Sequence, residues 1–290
     1  MARAQSADTT NTNTADSVVY WKNGGTLNIN IQQIGLTNWA AGGESSIAIG
    51  GIFESFSTYE REEVVWENKA RFAYGVIRQG ERDKRFEKTD DAIILSSKYS
   101  QKFSEMILMT AGINFRTQLD EGFKLENVAG QTEKRRVLIS DFMAPGYLQA
   151  SLGLTYRPKQ EFSVTVAPFT GRFTFVLNDS LSNVGSFGVM AGERIRSEAG
   201  ISVTGSYQRT LMKNVDLRTN YNFFSNYEKF PNTVVNIEAE LNLKVNDFIK
   251  SRVSTQLIYD DDVKVTRSDG TRGRDIQLKN VITVGFVLGF

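Results

Sequence analysis

The chain contains neither cysteine nor histidine. Without thiols there is no disulfide framework and no thiolate to act as nucleophile or metal ligand. Without imidazole the usual general base is missing, and with it the hydrolytic triads built around one. Proline is scarce, 4 in 290 residues, which permits long extended runs. Charge of one sign is lacking too: 34 Lys and Arg against 33 Asp and Glu leave a net charge of +1. With no basic cluster interleaved with aromatics either, nucleic acid is excluded as a partner. No run approaches the roughly 18 apolar residues of a membrane helix. The mean hydropathy of −0.30 does not argue against a membrane barrel, in which alternate residues face a polar lumen.

What is present points to strands. Gly 24, Phe 19 and Tyr 10 accompany many Thr, Ser and Asn. The clearest stretch is the last, Asp275 to Phe290, where Ile276, Leu278, Ile282, Val284, Phe286, Leu288 and Phe290 alternate with Asp275, Gln277, Lys279, Thr283, Gly285 and Gly289. Period two means strand. A long one-faced strand ending on Phe resembles the closing strand of a bacterial outer-membrane barrel. That resemblance implies that Phe286, Leu288 and Phe290 act as the insertion signal read by the membrane-insertion machinery.

The same alternation recurs about twelve times, for example Val235, Ile237, Ala239, Leu241 and Leu243 against Asn236, Glu238, Glu240, Asn242 and Lys244. Connections alternate short and long. A soluble sandwich does not predict this, whereas an all-β, transmembrane, antiparallel up-and-down barrel of about 12 strands does. Both termini are expected on the periplasmic side, with the short turns. Residues 25–290 form the barrel, and residues 1–24 a signal remnant and disordered periplasmic lead-in. The A-x-A of Ala2 to Ala4 before Gln5 reads as the end of a signal peptide, and QSADTTNTNTADS has almost nothing to bury. Pro168 removes a ladder bond inside the seventh strand, so a bulge or a split into two strands is expected there.

Several stretches resemble a family of Bacteroidota outer-membrane barrels known only as a domain of unknown function: LTNWAAGGE (Leu36 to Glu44), KTDD (Lys88 to Asp91), MKNV (Met212 to Val215), FSNY (Phe224 to Tyr227) and LIYDDD (Leu257 to Asp262). The resemblance implies a Gram-negative outer-membrane location and this architecture, and no catalytic residues.

The inward positions carry both signs: Glu67, Lys69, Arg71, Lys98, Arg116, Arg194, Arg196, Glu198, Arg218, Glu238, Glu240, Lys244, Arg252 and Lys279. The expectation is a porin-like, narrow, charge-lined passage for small polar solutes. The alternative is a lumen closed by pairing of these charges, leaving a scaffold or partner subunit that acts through its outer loops. Loop candidates are Trp39, Asp90, Asp91, Asp260, Asp261 and Asp262. The acidic runs read either as calcium ligands bridging to lipopolysaccharide or as solvated turns, and Trp39 either as a ligand-stacking residue or as an interface anchor. No catalytic constellation stands out, so neither an enzyme nor a cofactor is expected. The expected partners are outer-membrane lipid, lipopolysaccharide, the insertion machinery and an outer-membrane protein.

Overall fold

The structure, a computed structural model, describes residues 20–35, 44–80, 84–126, 135–267 and 271–289. Alternation along the chain becomes long strands: β1 (Trp21–Ile34), β2 (Ser46–Arg61), β3 (Val64–Gln79), β4 (Glu87–Lys102) and β5 (Ile107–Thr117). A hairpin of β6 (Gly122–Glu126) and β7 (Arg135–Ser140) precedes β8 (Gly146–Lys159) and β9 (Phe162–Phe175). The short helix α1 (Asp179–Asn183) leads to β10 (Ile195–Met212), β11 (Val215–Asn226), β12 (Thr233–Lys244) and β13 (Ile249–Asp260). The small pair β14 (Val265–Thr266) and β15 (Arg272–Gly273) then leads to β16 (Gln277–Gly289). Among the described residues, twelve strands close into an antiparallel barrel in the order β1-β16-β13-β12-β11-β10-β9-β8-β5-β4-β3-β2.

One end of the barrel carries tight turns. Glu62 and Asn214 take left-handed φ values of 46° and 67° in two of them, as two-residue hairpins require. In a third, Asn246 Oδ1 accepts from Phe248 N and Ile249 N. The other end carries the long loops. Apolar side chains cover the outside of the wall, with Ile282 74% and Phe286 67% exposed. A soluble protein does not display so continuous an apolar belt. At the short-turn rim Trp21 packs at a tilt between Tyr59 and Trp66, ring centroids 5.2 and 5.8 Å apart. One row further along the outer face lies a polar patch: Ser57 Oγ donates to Asn23 Oδ1 at 2.6 Å, Ser97 Oγ to Asn68 Oδ1 at 2.7 Å and Trp66 Nε1 to Ser97 Oγ at 2.9 Å.

The strand reading needs three corrections, and one of its open alternatives is decided. The barrel begins at Trp21, not Gly25. β4 starts at Glu87, so Asp90 and Asp91 belong to a strand and not to a loop. Of the two alternatives at Pro168 the bulge is the one observed: β9 is unbroken, and Leu152 faces Phe169 whereas Leu154 faces Val166. Gly153 permits it, because a Cβ there would sit 2.1 Å from Val166 O. Finally, the long connections, read as loops, contain the two hairpins and an apolar cluster of Ala144, Val176, Leu181 and Val189, with Leu138 and Phe187 packed against it. Asn178 caps α1 by accepting from Ser180 N and Leu181 N, and donates through Nδ2 to Asp141 Oδ2 at 2.8 Å. The small core is thereby tied to the barrel mouth.

Candidate functional site

Strand alternation sends the charged residues inward, and the curvature of a twelve-strand wall brings opposite sides within side-chain reach. Halfway along the barrel, Arg71 of β3 donates to Glu238 of β12 at 2.9 Å and lies 3.7 Å from Glu54 of β2. Arg252 of β13 meets Glu54 at 2.6 Å and Glu240 at 3.4 Å. The Arg71–Glu238 pair joins strands five places apart in a ring of twelve, so it crosses the lumen. Arg116 of β5 reaches Gln256 of β13, on the diametrically opposite strand, at 3.4 Å.

A second tier closes the long-loop end. Arg172 of β9 pairs with Asp260 of β13 at 2.9 Å and with Glu198 at 3.5 Å, while its guanidinium lies over the rings of Tyr147 and Phe224. Arg196 bridges Glu198 and Asp262, each at 3.2 Å. A third tier, towards the short turns, is Arg157 with Glu67 at 2.9 Å. Next to it, Ser100, Thr110, Thr155 and Thr165 form a buried row of hydroxyls linked at 3.0, 2.7 and 2.7 Å.

Among the described residues, two chambers flank the mid-plane. One of about 150 Å³ lies towards the short turns and is lined by Asp216, Arg218, Lys244 and Lys250. The other, of about 320 Å³, lies towards the long loops and is lined by Arg71, Asp90, Arg116, Glu238 and Lys279. Arg252 borders both.

The structure thus brings together Glu67, Arg71, Arg196, Glu198, Glu238, Glu240 and Arg252 of the expected lumen set. Arg218 and Lys244 line the lower chamber, and Lys244 also pairs with Asp247 in its turn. Lys279 joins Asp90 across the upper one. Lys98 stands opposite Glu67 in the β3–β4 register, and Lys69 follows Glu67 on the same face. Arg194 is not in the lumen: it precedes β10 and pairs with Asp179 of α1 on the surface. Sequence reasoning missed Glu54, Arg157 and Arg172. Each sits beside an irregularity that blurred its face, namely Gly50-Gly51, Pro158 and the Pro168 bulge.

The acidic candidates are engaged by protein groups. Asp91 accepts from Lys88 and from the backbone of Leu119 and Asp120. Asp260 and Asp262 belong to the Arg172–Arg196 tier. Asp261 accepts from Thr233 N and Tyr259 Oη, each at 2.8 Å, and these bonds, the backbone one first, hold its carboxyl below the ordinary range against the opposing effect of burial. Asp120 is lowered likewise, chiefly by the Tyr74 hydroxyl. Among the described residues no group of three or more such side chains is arranged to hold a metal ion. Phe286 and Leu288 point outward from β16. Trp39 and Phe290 lie outside the described residues.

Residues 31–123 match a family model. Its description is "Protein of unknown function (DUF3078)", and the matched stretch contains LTNWAAGGE and KTDD but not MKNV, FSNY or LIYDDD. No curated protein matches the chain. Among solved structures, an outer-membrane channel of Pseudomonas putida F1 is similar at 9% identity, covering 95% of this chain and 100% of that one with a TM-score of 0.40. The NanC porin is similar at 8% identity, covering 91% and 98% with a TM-score of 0.41. The translocator domain of the autotransporter NalP from Neisseria meningitidis gives 10% identity, 95% and 89% coverage and a TM-score of 0.33. Nothing about solutes or partners transfers at such similarity.

Proposed function

We propose that the chain is an integral outer-membrane β-barrel that is shut along its axis at rest and serves as a non-enzymatic membrane scaffold, not as a constitutive pore. The membrane setting is supported by the apolar belt and the aromatic short-turn rim, and agrees with the Bacteroidota barrels that its motifs resemble. The observation that carries the closed reading is the mid-plane network, where Arg71–Glu238 joins strands five places apart across the lumen at 2.9 Å and Arg252–Glu54 joins strands three places apart at 2.6 Å. A solute moving along the axis must break charge-assisted bonds, and those bonds are the strong ones.

The test is single-channel conductance of the refolded protein in planar bilayers. The native chain is expected to give no steady current. Arg71→Ala combined with Arg252→Ala merges the two chambers, and opening the two end tiers as well, with Arg172→Ala and Arg157→Ala, gives a resolvable one. Steady conductance from the native chain would reject the closed reading and return the lumen to a solute passage.

A further inference from the structure

The charges inside the barrel do not cancel evenly along its axis. At the mid-plane the carboxylates of Glu54, Glu238 and Glu240 are matched in number by the guanidinium groups of Arg71, Arg116 and Arg252, so that level is neutral. Toward the short turns the balance changes. β3, β4 and β8 bring Lys69, Lys98 and Arg157 inward against the carboxylate of Glu67. β11 to β13 bring Arg218, Lys244 and Lys250 inward against Asp216. Asp247, in the turn after β12, adds one more carboxylate, bonded to Lys244 at 2.6 Å. Six cations thus meet three carboxylates, and the other turns at this end hold no excess of acid to make up the difference.

The lower chamber, of about 150 Å³, collects half of these cations. Arg218 is exposed within the lumen and, like Lys250, makes no ion pair or hydrogen bond among the described residues. Lys250 stands directly opposite Lys244 in the β12–β13 register. Like charges so placed destabilise a ladder, and Asp247 relieves only the Lys244 side. Thr26, Asn28, Asn242 and Thr283 add neutral hydrogen-bonding groups to the same wall. The chamber has a floor and a mouth. Its floor is the Arg252–Glu54 pair of the mid-plane. Its other end reaches Asp216, the second residue of β11, and Lys244, the last of β12, whose side chain is 45% exposed beside its turn. It is a blind vestibule that opens at the short turns.

We propose that this vestibule binds a phosphate-type dianion, free or as the end group of a monoester, which enters from the short-turn side and sits among Arg218, Lys244 and Lys250. A doubly charged group answers the two cations that have no carboxylate and relieves the repulsion between the facing lysines. The guanidinium of Arg218 offers a planar fork to two oxygens, and each ammonium a point charge to the others. The proposal rests on the closed mid-plane for its blind end and adds a ligand to that reading.

The experiment titrates the refolded barrel, in neutral detergent and at fixed chloride ionic strength, with inorganic phosphate and with glycerol 1-phosphate, followed by calorimetry. One saturable site per barrel is expected. Arg218→Gln and Lys250→Gln should each weaken it about tenfold, and Lys250→Arg, which keeps the charge, should retain it. Lys279→Gln, in the upper chamber, should leave it unchanged. Tighter binding of inorganic phosphate marks a site for the free ion, and tighter binding of the glycerol ester a site for a monoester. Dimethyl phosphate carries a single charge, and its competing at equal concentration would overturn the dianion assignment. No saturable binding, or equal affinity in the native chain, Arg218→Gln and Lys250→Gln, would overturn the site. Should Arg218→Gln not fold, Lys250→Gln, which removes a repulsion from the ladder, decides alone. Single-channel conductance separates this proposal from the closed reading. A chain that binds phosphate and passes steady current keeps the site and rejects closure, whereas a sealed chain that binds none keeps closure and rejects the site.

Discussion

At the scale of single residues, the mid-plane arginines are the most consequential side chains. Arg252 faces Glu54 at 2.6 Å and Glu240 at 3.4 Å, so removing it leaves two carboxylates without their shared cation. Breaking a buried pair in this way costs about 3–5 kcal/mol. Arg252→Ala should lower the temperature at which the barrel loses its heat-resistant gel mobility, and an unchanged temperature would show that water already satisfies these groups. In the loops, Asp261 gives a pH effect of known sign. Its folded carboxyl is depressed, by Thr233 N first and then by the Tyr259 hydroxyl, so its contribution is present above the ordinary carboxylate range and is lost as pH falls through the depressed value. Proteolysis of the segment after β13 by an acid-active protease should accelerate at that low pH and not between neutrality and mild acidity. Asp261→Asn should remove the step. The inward charges were legible because alternation fixes a side chain's face. Their pairing was not, because it joins Arg71 to Glu238, 167 positions away, and depends on the shear of the closed sheet.

At the scale of elements, periodicity located each barrel strand, and its failures coincide with bulges. β9 was read correctly in extent, but Pro168 shifts the faces beyond it, so Arg172 was not recognised as inward. The hairpin β6–β7 escaped because strands of five and six residues offer too few alternations among their charges. The Pro168 bulge depends on Gly153, whose missing Cβ makes room for Val166 O at 2.1 Å and Ala167 Cα at 2.4 Å. Gly153→Ala therefore forces the β8–β9 ladder apart and should cost about 1–3 kcal/mol, as overpacking does. Gly51→Ala, whose nearest neighbour is Asn28 O at 3.7 Å, should be close to neutral. Refolding yield and urea midpoint, measured side by side for the two variants, check this, and equal effects would contradict the bulge.

For the whole molecule, closure follows from three separate tiers of charge, so no single tier need be complete for the axis to be blocked. Vesicles containing the native protein should not swell in an isotonic sugar. Opening only the Arg157–Glu67 tier with Arg157→Ala should leave them unswollen, because the mid-plane remains. Swelling of that variant would mean that the other tiers do not seal. The closed barrel, its approximate strand number and its long-loop end could be read from the alternation of short and long connections. The short ladder between the first and last strands, Thr26–Gly289 to Ile29–Phe286, could not, because nothing in the periodicity of β1 or β16 records where it stops. The hydrogen-bonded row of Asn23, Ser57, Asn68 and Ser97 has a consequence for how the molecule sits in a bilayer. On the β1–β4 flank this row raises the lower edge of the apolar band by two residues, about 7 Å along a strand. A band of unequal height is levelled by tilt. The long-loop end then leans toward that flank, and the strand dichroism measured by polarised infrared in oriented bilayers should depart from that of an upright cylinder.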